Sequence, residues 1–341
     1  MSGGVDSSVA AALARERGSE VIGATLVMWT CDLESSGRRA RECCGSSDVR
    51  DARAVAAAIG IPHEVVDGRA EFVERVAHAA RDAQARGLTP NPCVLCNEHL
   101  KFGLLLDWAR RQGADAVVTG HYAKIEGGAL CRAADRAKDQ SYFLFTLAGD
   151  ARLAEIEFPV GGMTKAEVRA SARMMGLPVA GKRESQDLCF PVADAGDRPG
   201  EVVDLEGRVI GRHSGLSRYT VGQRRGVGVA AGRRLYVVAL RPEGNQVVLG
   251  DEEDLLVTRV RASMVSWRGD PPERPIEAEV RIRLRHEPAA ARVRIEAGGI
   301  VADVVEPLRA VTPGQALVVY QGEEILGGGW ILGGDQPGMG V

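Results

Sequence analysis

Ser2-Gly3-Gly4-Val5-Asp6-Ser7-Ser8 opens the chain and runs straight into the helix-forming stretch Val9 to Arg17. A glycine-rich turn feeding a helix N-terminus aims several backbone N–H groups and the positive helix end at one place. That suits an anion such as pyrophosphate. The two glycines let the backbone approach the anion without a Cβ in the way. Ser7 and Ser8 offer hydroxyl donors, and Asp6 can hold Mg²⁺ or cap the helix. An ordinary N-capped helix is the plainer alternative. The paired glycines with Asp-Ser favour phosphate. A Walker A loop is excluded, because that motif ends in Gly-Lys-Ser/Thr and the first lysine of this chain is Lys101.

Outward from this turn, helix and strand signals alternate. Helices are expected at Val5–Arg17, Asp48–Ile59, Arg69–Arg86 and Asn97–Arg111, the last three ended by Gly60, Gly87 and Gly113. Strands are expected at Val21–Met28, Pro62–Val66 and Ala116–Thr119. This alternation predicts a parallel sheet covered by helices, with ligands at the carboxyl ends of its strands. A further strand is expected ahead of Ser2, where the sequence begins. Gly120-His121-Tyr122 follows a strand, so His121 reads equally as a functional residue and as a capped loop histidine. Lys138-Asp139-Gln140-Ser141 opens a helical stretch, and Thr164-Lys165-Ala166-Glu167 is a capping box for a helix reaching Met175.

The texture changes after about Pro199. Short apolar runs punctuated by turns at Glu206-Gly207 and Glu243-Gly244-Asn245 replace helical periodicity, which predicts hairpins and a small β-barrel. Arg281, Arg283 and Arg285 alternate with apolar residues and are expected on one face of one strand. A solvated edge and a phosphate-contacting surface fit them equally. The domains implied are 1–198, 199–253 and 254–335. The fold class is α/β: an N-terminal Rossmann-like domain, a small central β-rich domain and a C-terminal β-barrel.

No apolar run approaches the ~20 residues of a membrane helix, and no secretory signal pattern opens the chain. Seven cysteines, an odd count, read as thiols or ligands in a reducing cytosol. A net charge of −3 argues against indiscriminate nucleic-acid binding while leaving room for a local basic face. Cys93-Val94-Leu95-Cys96, placed directly before a helix, supports three readings: half a zinc site, a redox pair, or a reactive thiolate at a helix N-terminus.

The opening loop resembles the PP-loop of ATP pyrophosphatases, which adenylate a carbonyl or amide oxygen. Thr89-Pro90-Asn91-Pro92, Cys96-Asn97 and Lys101-Phe102 resemble the signature of the bacterial tRNA-specific 2-thiouridylases, the MnmA family. Further segments match in order: Cys43-Cys44 before Asp51-Ala52-Arg53, Thr119 to Ala123, Lys138 to Leu144, Ser185 to Phe190, Tyr219 to Gly226, and Leu326 to Gly329. The resemblance spans essentially the whole chain.

It implies replacement of the C2 oxygen of the wobble uridine, U34, by sulfur in tRNAs for Lys, Glu and Gln, with ATP and Mg²⁺. It also implies a cytoplasmic monomer that receives sulfur from a relay protein or cysteine desulfurase. Cys189 would carry the persulfide and Cys96 would release or resolve it, leaving a Cys96–Cys189 disulfide. Met1, Ser2, Gly3, Gly4, Val5, Asp6, Ser7, Leu26 and Gly120 fall at nucleotide positions. Asn91, Pro92 and Cys93 fall at the flipped-out target base. His121, Lys138, Asp139, Gln140, Arg283, Leu284 and Gln315 fall at tRNA contacts. Many relatives carry Asp where Cys93 stands, a carboxylate with acid/base work, so the resemblance gives Cys93 a catalytic place whose job a thiol does in part only if its pKa is perturbed. They also carry a longer segment between Phe190 and Gly200. Three thiols at Cys93, Cys96 and Cys189 also suit a [4Fe-4S] cluster with one open iron. The roles of Cys31, Cys43, Cys44 and Cys131 stay open, with buried structural thiols favoured for Cys43 and Cys44.

Overall fold

Helix α1 (Val5–Glu16) carries an unbroken apolar run from Val9 to Ala14, of which Val9, Ala10, Ala11, Ala12 and Ala14 are buried, as is Ser8. A helix apolar on most sides belongs inside a layered structure and not on its surface. The computed structural model describes residues 1–29, 46–183, 197–229 and 232–335. The chain divides into two compact units, Met1–Ala77 with Cys93–Pro191, and His78–Pro92 with Val192–Val341. Cys31, Cys43, Cys44, Cys189 and the polar loop expected at Glu184–Phe190 lie outside the described residues.

In the first unit, β1 (Gly23–Val27) pairs in parallel with β2 (His63–Asp67), Leu26 opposite Val66. Parallel neighbours need a crossover, supplied here by α2 (Ser46–Ile59). A second parallel pair joins β3 (Val117–Val118) to β6 (Ile156–Glu157). Between them lies an antiparallel hairpin, β4 (Ala123–Glu126) and β5 (Ala129–Arg132), turned by Gly127 and Gly128 at φ 57° and 74°. Only a residue tolerant of positive φ suits such a two-residue turn. Cys131 is buried in β5. The helix Lys165–Met174 has the expected capping box: Thr164 accepts from the Glu167 N–H, and Glu167 accepts from the Thr164 N–H. Its Val168 and Ala172 share a core with Val9 and Ala12 of α1.

Two expected helices differ in detail. The helix over 69–85 contains a π-helical segment, Val73–Ala77. The helix expected from Asn97 begins at Pro92 and reaches Arg111, with a π-helical segment at Cys96–Leu104. Pro92 suits a first helical position because its missing N–H has no partner there anyway. Cys93 and Cys96 therefore lie inside the helix, not before it.

In the second unit, β7 (Gly200–Val203), β8 (Val209–His213), β9 (Tyr236–Arg241) and β10 (Gln246–Gly250) form one sheet in the order β8-β7-β10-β9. The two predicted turns close the hairpins β7–β8 and β9–β10. The barrel contains β11 (Leu256–Trp267), β12 (Ile276–Arg281), β13 (Ala289–Glu296), β14 (Gly299–Arg309), β15 (Ala316–Gln321) and β16 (Glu324–Gly334). Their order is β11-β14-β13-β12-β15-β16, closed by β11–β16 pairing. Val260, Val280, Val293, Ile300, Leu317, Val319 and Ile331 fill the interior, each contributing about 1.5–3 kcal/mol on burial. A Cβ on Gly327 would fall 2.2 Å from the Ser266 carbonyl oxygen, and one on Gly329 2.7 Å from that of Ser263. The glycine run thus permits the close approach of β11 and β16 that seals the barrel.

The alternating arginines do not share one strand face. Strand β12 ends at Arg281, and the chain turns over the next residues. Arg281 folds back, its Nε donating to the His286 carbonyl at 3.1 Å and its Nη2 to that of Leu284. Arg283 donates to the Ala310 carbonyl and to Thr312 Oγ1. Carbonyls released by the turn need donors, and these guanidiniums supply them. Among the described residues, no helix is long and apolar enough to cross a membrane.

Candidate active site

The opening loop has the shape its glycines predict. Gly3 adopts φ +68°, and a Cβ there would fall 2.5 Å from the Asp48 carbonyl oxygen. Gly4 is the N-cap of α1, and among the described residues no side chain caps the helix. First-turn N–H groups at such a helix end suit an external anionic acceptor. Gly120, just after β3, presses on the same loop: a Cβ there would lie 2.4 Å from Ser7 N. Leu26 is buried in β1 beside Gly68. The serine hydroxyls are engaged within the loop, Ser8 Oγ donating to the Gly4 carbonyl at 2.8 Å and Ser7 Oγ at 3.2 Å.

Asp6, the loop's carboxylate, is held on both oxygens. Lys165 Nζ donates at 2.7 and 2.8 Å, and Tyr122 Oη at 2.9 Å. Lys182 fixes the loop's other side, donating to the Gly3 carbonyl at 3.1 Å, Asp48 at 2.7 Å and Asp51 at 2.5 Å. Burial opposes the charged form of Lys182, but hydrogen bonds to Asp48 and Asp51 outweigh it and raise its pKa.

The thiol helix lies in the same unit. Cys93 occupies its first turn and is half-buried, while Cys96 is one turn deeper and buried, its Sγ 3.4 Å from Met28 Sδ. Their i, i+3 spacing puts both on one helix face. The helix-terminus effect fades within a turn, so it acts on Cys93 more than on Cys96. π-helical backbone weakens the regular ladder. Here Arg152 Nη1 donates to the carbonyls of Glu98 at 3.2 Å and Phe102 at 2.8 Å. Asn97 Nδ2 donates to the Phe143 carbonyl at 3.2 Å. Among the described residues, no group of three or more His, Cys, Asp or Glu side chains is placed to hold a metal ion.

Several residues expected at the tRNA surface are engaged internally. Asp139 is 4% exposed and accepts from Ala133 N, Ser141 N and Ser141 Oγ. Gln140 Oε1 accepts from Tyr122 N. Lys138 is partly buried. His121 is buried against Phe102 and Phe158. Its Nε2 accepts from Lys101 Nζ at 3.2 Å, so Nδ1 carries the proton and donates to Thr119 Oγ1 at 2.8 Å. Burial, reinforced by the Lys101 charge, holds its pKa well below 6.5.

The unfolded chain takes up that proton near pH ~6.5 and the folded chain resists it. This contribution to stability is complete above the unfolded pKa and is lost as pH falls below it, by at most about 1.4 kcal/mol per pH unit. His63, also lowered chiefly by burial, acts in the same window. His121→Gln should therefore reduce, not abolish, the fall in urea midpoint between pH 7 and 5. An unchanged slope would refute a buried neutral His121.

In the second unit, residues 88–92 are held by the barrel turn 312–315. Thr89 N donates to the Pro313 carbonyl at 2.9 Å. Gln315 Nε2 donates to the carbonyls of Thr89 at 3.1 Å and Pro90 at 3.3 Å, and its Oε1 accepts from Asn91 Nδ2 at 3.4 Å. Two residues assigned separately by sequence, Asn91 and Gln315, are thus partners. Pro92 closes this segment and Cys93 opens the next.

Three family models cover the chain: "tRNA methyl transferase HUP domain" over residues 1–193, "tRNA methyl transferase PRC-barrel domain" over 193–251, and "Aminomethyltransferase beta-barrel domain" over 257–331. A protein of Geobacter metallireducens named tRNA-specific 2-thiouridylase MnmA is 48% identical over 350 residues, 97% of this chain and 95% of that protein. Like-named proteins of Sorangium cellulosum and Chloroflexus aurantiacus are 48% and 46% identical, covering 97% of this chain and 90% and 96% of theirs. The chain belongs to the MnmA family.

The family match includes the Asp6 loop, in the HUP domain, and the Gln315 turn, in the β-barrel domain. It joins a HUP domain to a PRC-barrel domain and a closed β-barrel. Lys165, Tyr122 and Lys182 are the site residues that sequence reasoning missed. Lys165 was absorbed by its capping box, and its partner Asp6 stands 159 positions away. No local spacing marks such a pair.

Proposed function

We propose that the chain is a tRNA 2-thiouridylase that uses ATP to exchange the C2 oxygen of U34 for sulfur. The observation carrying this is the glycine loop at the uncapped N-terminus of α1, with Asp6 and Lys165 beside it. Loop N–H groups would hold the phosphates, and Leu26 and Gly120 would line the adenosine. Mg²⁺ on a triphosphate needs only one or two protein carboxylates, and Asp6 is the loop's own. Uridine O2 attacks the α-phosphorus of ATP and pyrophosphate leaves. Sulfur then adds at C2 and AMP departs with the former O2.

Cys189 brings the sulfur as a persulfide, received from a relay protein or cysteine desulfurase. In one route the Cys96 thiolate attacks Cys189 Sγ and releases hydrosulfide, which adds to C2. In the other the terminal sulfur adds to C2 first, and Cys96 then frees the 2-thiouridine from Cys189. Both routes end in a Cys96–Cys189 disulfide that a reductant must reopen. Asn91, Pro92 and Cys93 face the flipped base. His121, Lys138, Asp139, Gln140, Arg283, Leu284 and Gln315 belong to the tRNA-facing part of the reading. The substrates are tRNAs for Lys, Glu and Gln, and the protein acts as a cytoplasmic monomer.

The shared helix face of Cys93 and Cys96 favours a second reading of the thiols, in which both join Cys189 in holding an iron–sulfur cluster. Nucleoside mass analysis of tRNA incubated with the protein, ATP and a persulfide donor tests the activity. Sulfur in place of oxygen at U34, strictly dependent on ATP, is expected. An added methyl group, or no change, would refute thiolation. Iron and acid-labile sulfide in anaerobically purified protein would establish the cluster reading.

A further inference from the structure

The amide of Gln315 has one possible orientation. The carbonyls of Thr89 and Pro90 can only accept, so the group facing them must be Nε2. Its Oε1 is then the atom turned to Asn91, and Asn91 must answer with Nδ2. The turn carrying Gln315 is fixed in its own right. Arg283 ties down Ala310 and Thr312, the Thr89 N–H is bound to the Pro313 carbonyl, and Gly314, at φ +89°, lies against Thr89 so closely that a Cβ would come 2.8 Å from its carbonyl oxygen. Asn91 itself is only 6% exposed, so it can offer a ligand a single edge.

We propose that Gln315, besides belonging to the tRNA-facing surface, is a positioning residue that acts on the target base through Asn91. It fixes which way round the Asn91 amide stands, so that Asn91 Oδ1 is the acceptor offered to a base. Uracil answers with its N3–H, a donor, whereas cytosine carries an unprotonated N3 there. Freed from Gln315, the Asn91 amide can rotate by half a turn and offer Nδ2 instead, which suits cytosine. Gln315 thereby helps set base specificity. This rests on the proposal that Asn91 faces the target base.

The test compares the parent with Gln315→Met, which keeps length and removes both polar atoms, with Asn91→Ala, and with the double variant. Thiolation rates are measured on tRNA transcripts bearing U34 or C34, and tRNA affinity by filter binding. Gln315→Met should lower kcat on U34 by about 10- to 100-fold, the cost of a misplaced contact, and narrow the U34-to-C34 ratio. Any loss of tRNA affinity should be smaller than the loss in kcat, and the double variant should match Asn91→Ala in kcat and in the U34-to-C34 ratio. A raised KM for tRNA with unchanged kcat, additive losses, or an unchanged U34-to-C34 ratio would overturn the proposal. Hydrogen exchange of the Asn91 side-chain amide gives an answer independent of activity. It should quicken in Gln315→Met, and unchanged exchange refutes the positioning role even if the parent thiolates nothing.

Discussion

Cys96→Ser is expected to abolish 2-thiouridine formation, by about 10³-fold or more, while tRNA-dependent release of pyrophosphate from ATP continues. Cys96 is buried in the helix over 92–111, with its sulfur against Met28. Serine is close in size, so the helix should keep its packing, but a hydroxyl neither attacks a persulfide nor closes a disulfide. Cys189→Ser should give the same result, since both routes to C2 need both sulfurs. Cys93→Ser separates the two readings of the thiols. A two-thiol mechanism retains most of its activity in that variant, whereas a cluster held by three thiols loses it with either helix cysteine. Radiolabelled ATP reports adenylation and nucleoside analysis reports sulfur, so the two half-reactions are read in one tube. Full thiolation by Cys96→Ser with a persulfide donor would falsify the two-thiol mechanism.

Local order was legible wherever one residue's neighbours determine its conformation. Thr164 and Glu167 must cap each other, and alternating apolar residues such as Val280, Val293 and Leu317 must line a β-interior. What escaped reading is long-range. Arg281, Arg283 and Arg285 continue a strand pattern beyond the strand itself, because periodicity does not reveal where carbonyls of a turn will call for a guanidinium. His121 sits after a strand, and its place between Phe102 and Phe158, which keeps the imidazole neutral, is set by residues that no local spacing connects to it. Residues 78–92 lie early in the chain and pack with its later part, since Gln315 meets the carbonyls of Thr89 and Pro90. The pairing of Asn91 with Gln315 spans 224 positions, beyond any window in which spacing carries information.

Lys165→Met should weaken ATP use about 100- to 1,000-fold in kcat/KM, measured by pyrophosphate release, an effect bounded by the Coulomb energy of one charge near phosphate. The lysine neutralises Asp6 across 2.7 Å, with side-chain exposures of 13% and 30%. Without it, a bare carboxylate stands at the mouth of a loop meant for a polyanion, and breaking a half-buried pair on one side is the costly way to break it. Asp6→Asn tests the other side. It removes a negative charge from the loop, so nucleotide affinity should hold or rise, while adenylation should fall because the loop no longer has a carboxylate to offer Mg²⁺. The double variant, Asp6→Asn with Lys165→Met, distinguishes two roles for the lysine. If Lys165 acts only by cancelling Asp6, nucleotide affinity returns in the double variant to near the parent's. If Lys165 instead turns from Asp6 to the phosphates when ATP enters, affinity stays as low as in Lys165→Met. The geometry favours the second outcome. Lys165 stands in the first turn of the helix Lys165–Met174, and its flexible stem lets Nζ swing to a new acceptor while the capping box holds its backbone. Recovered affinity in the double variant would show that the pair is structural and would leave phosphate binding to the loop's N–H groups alone.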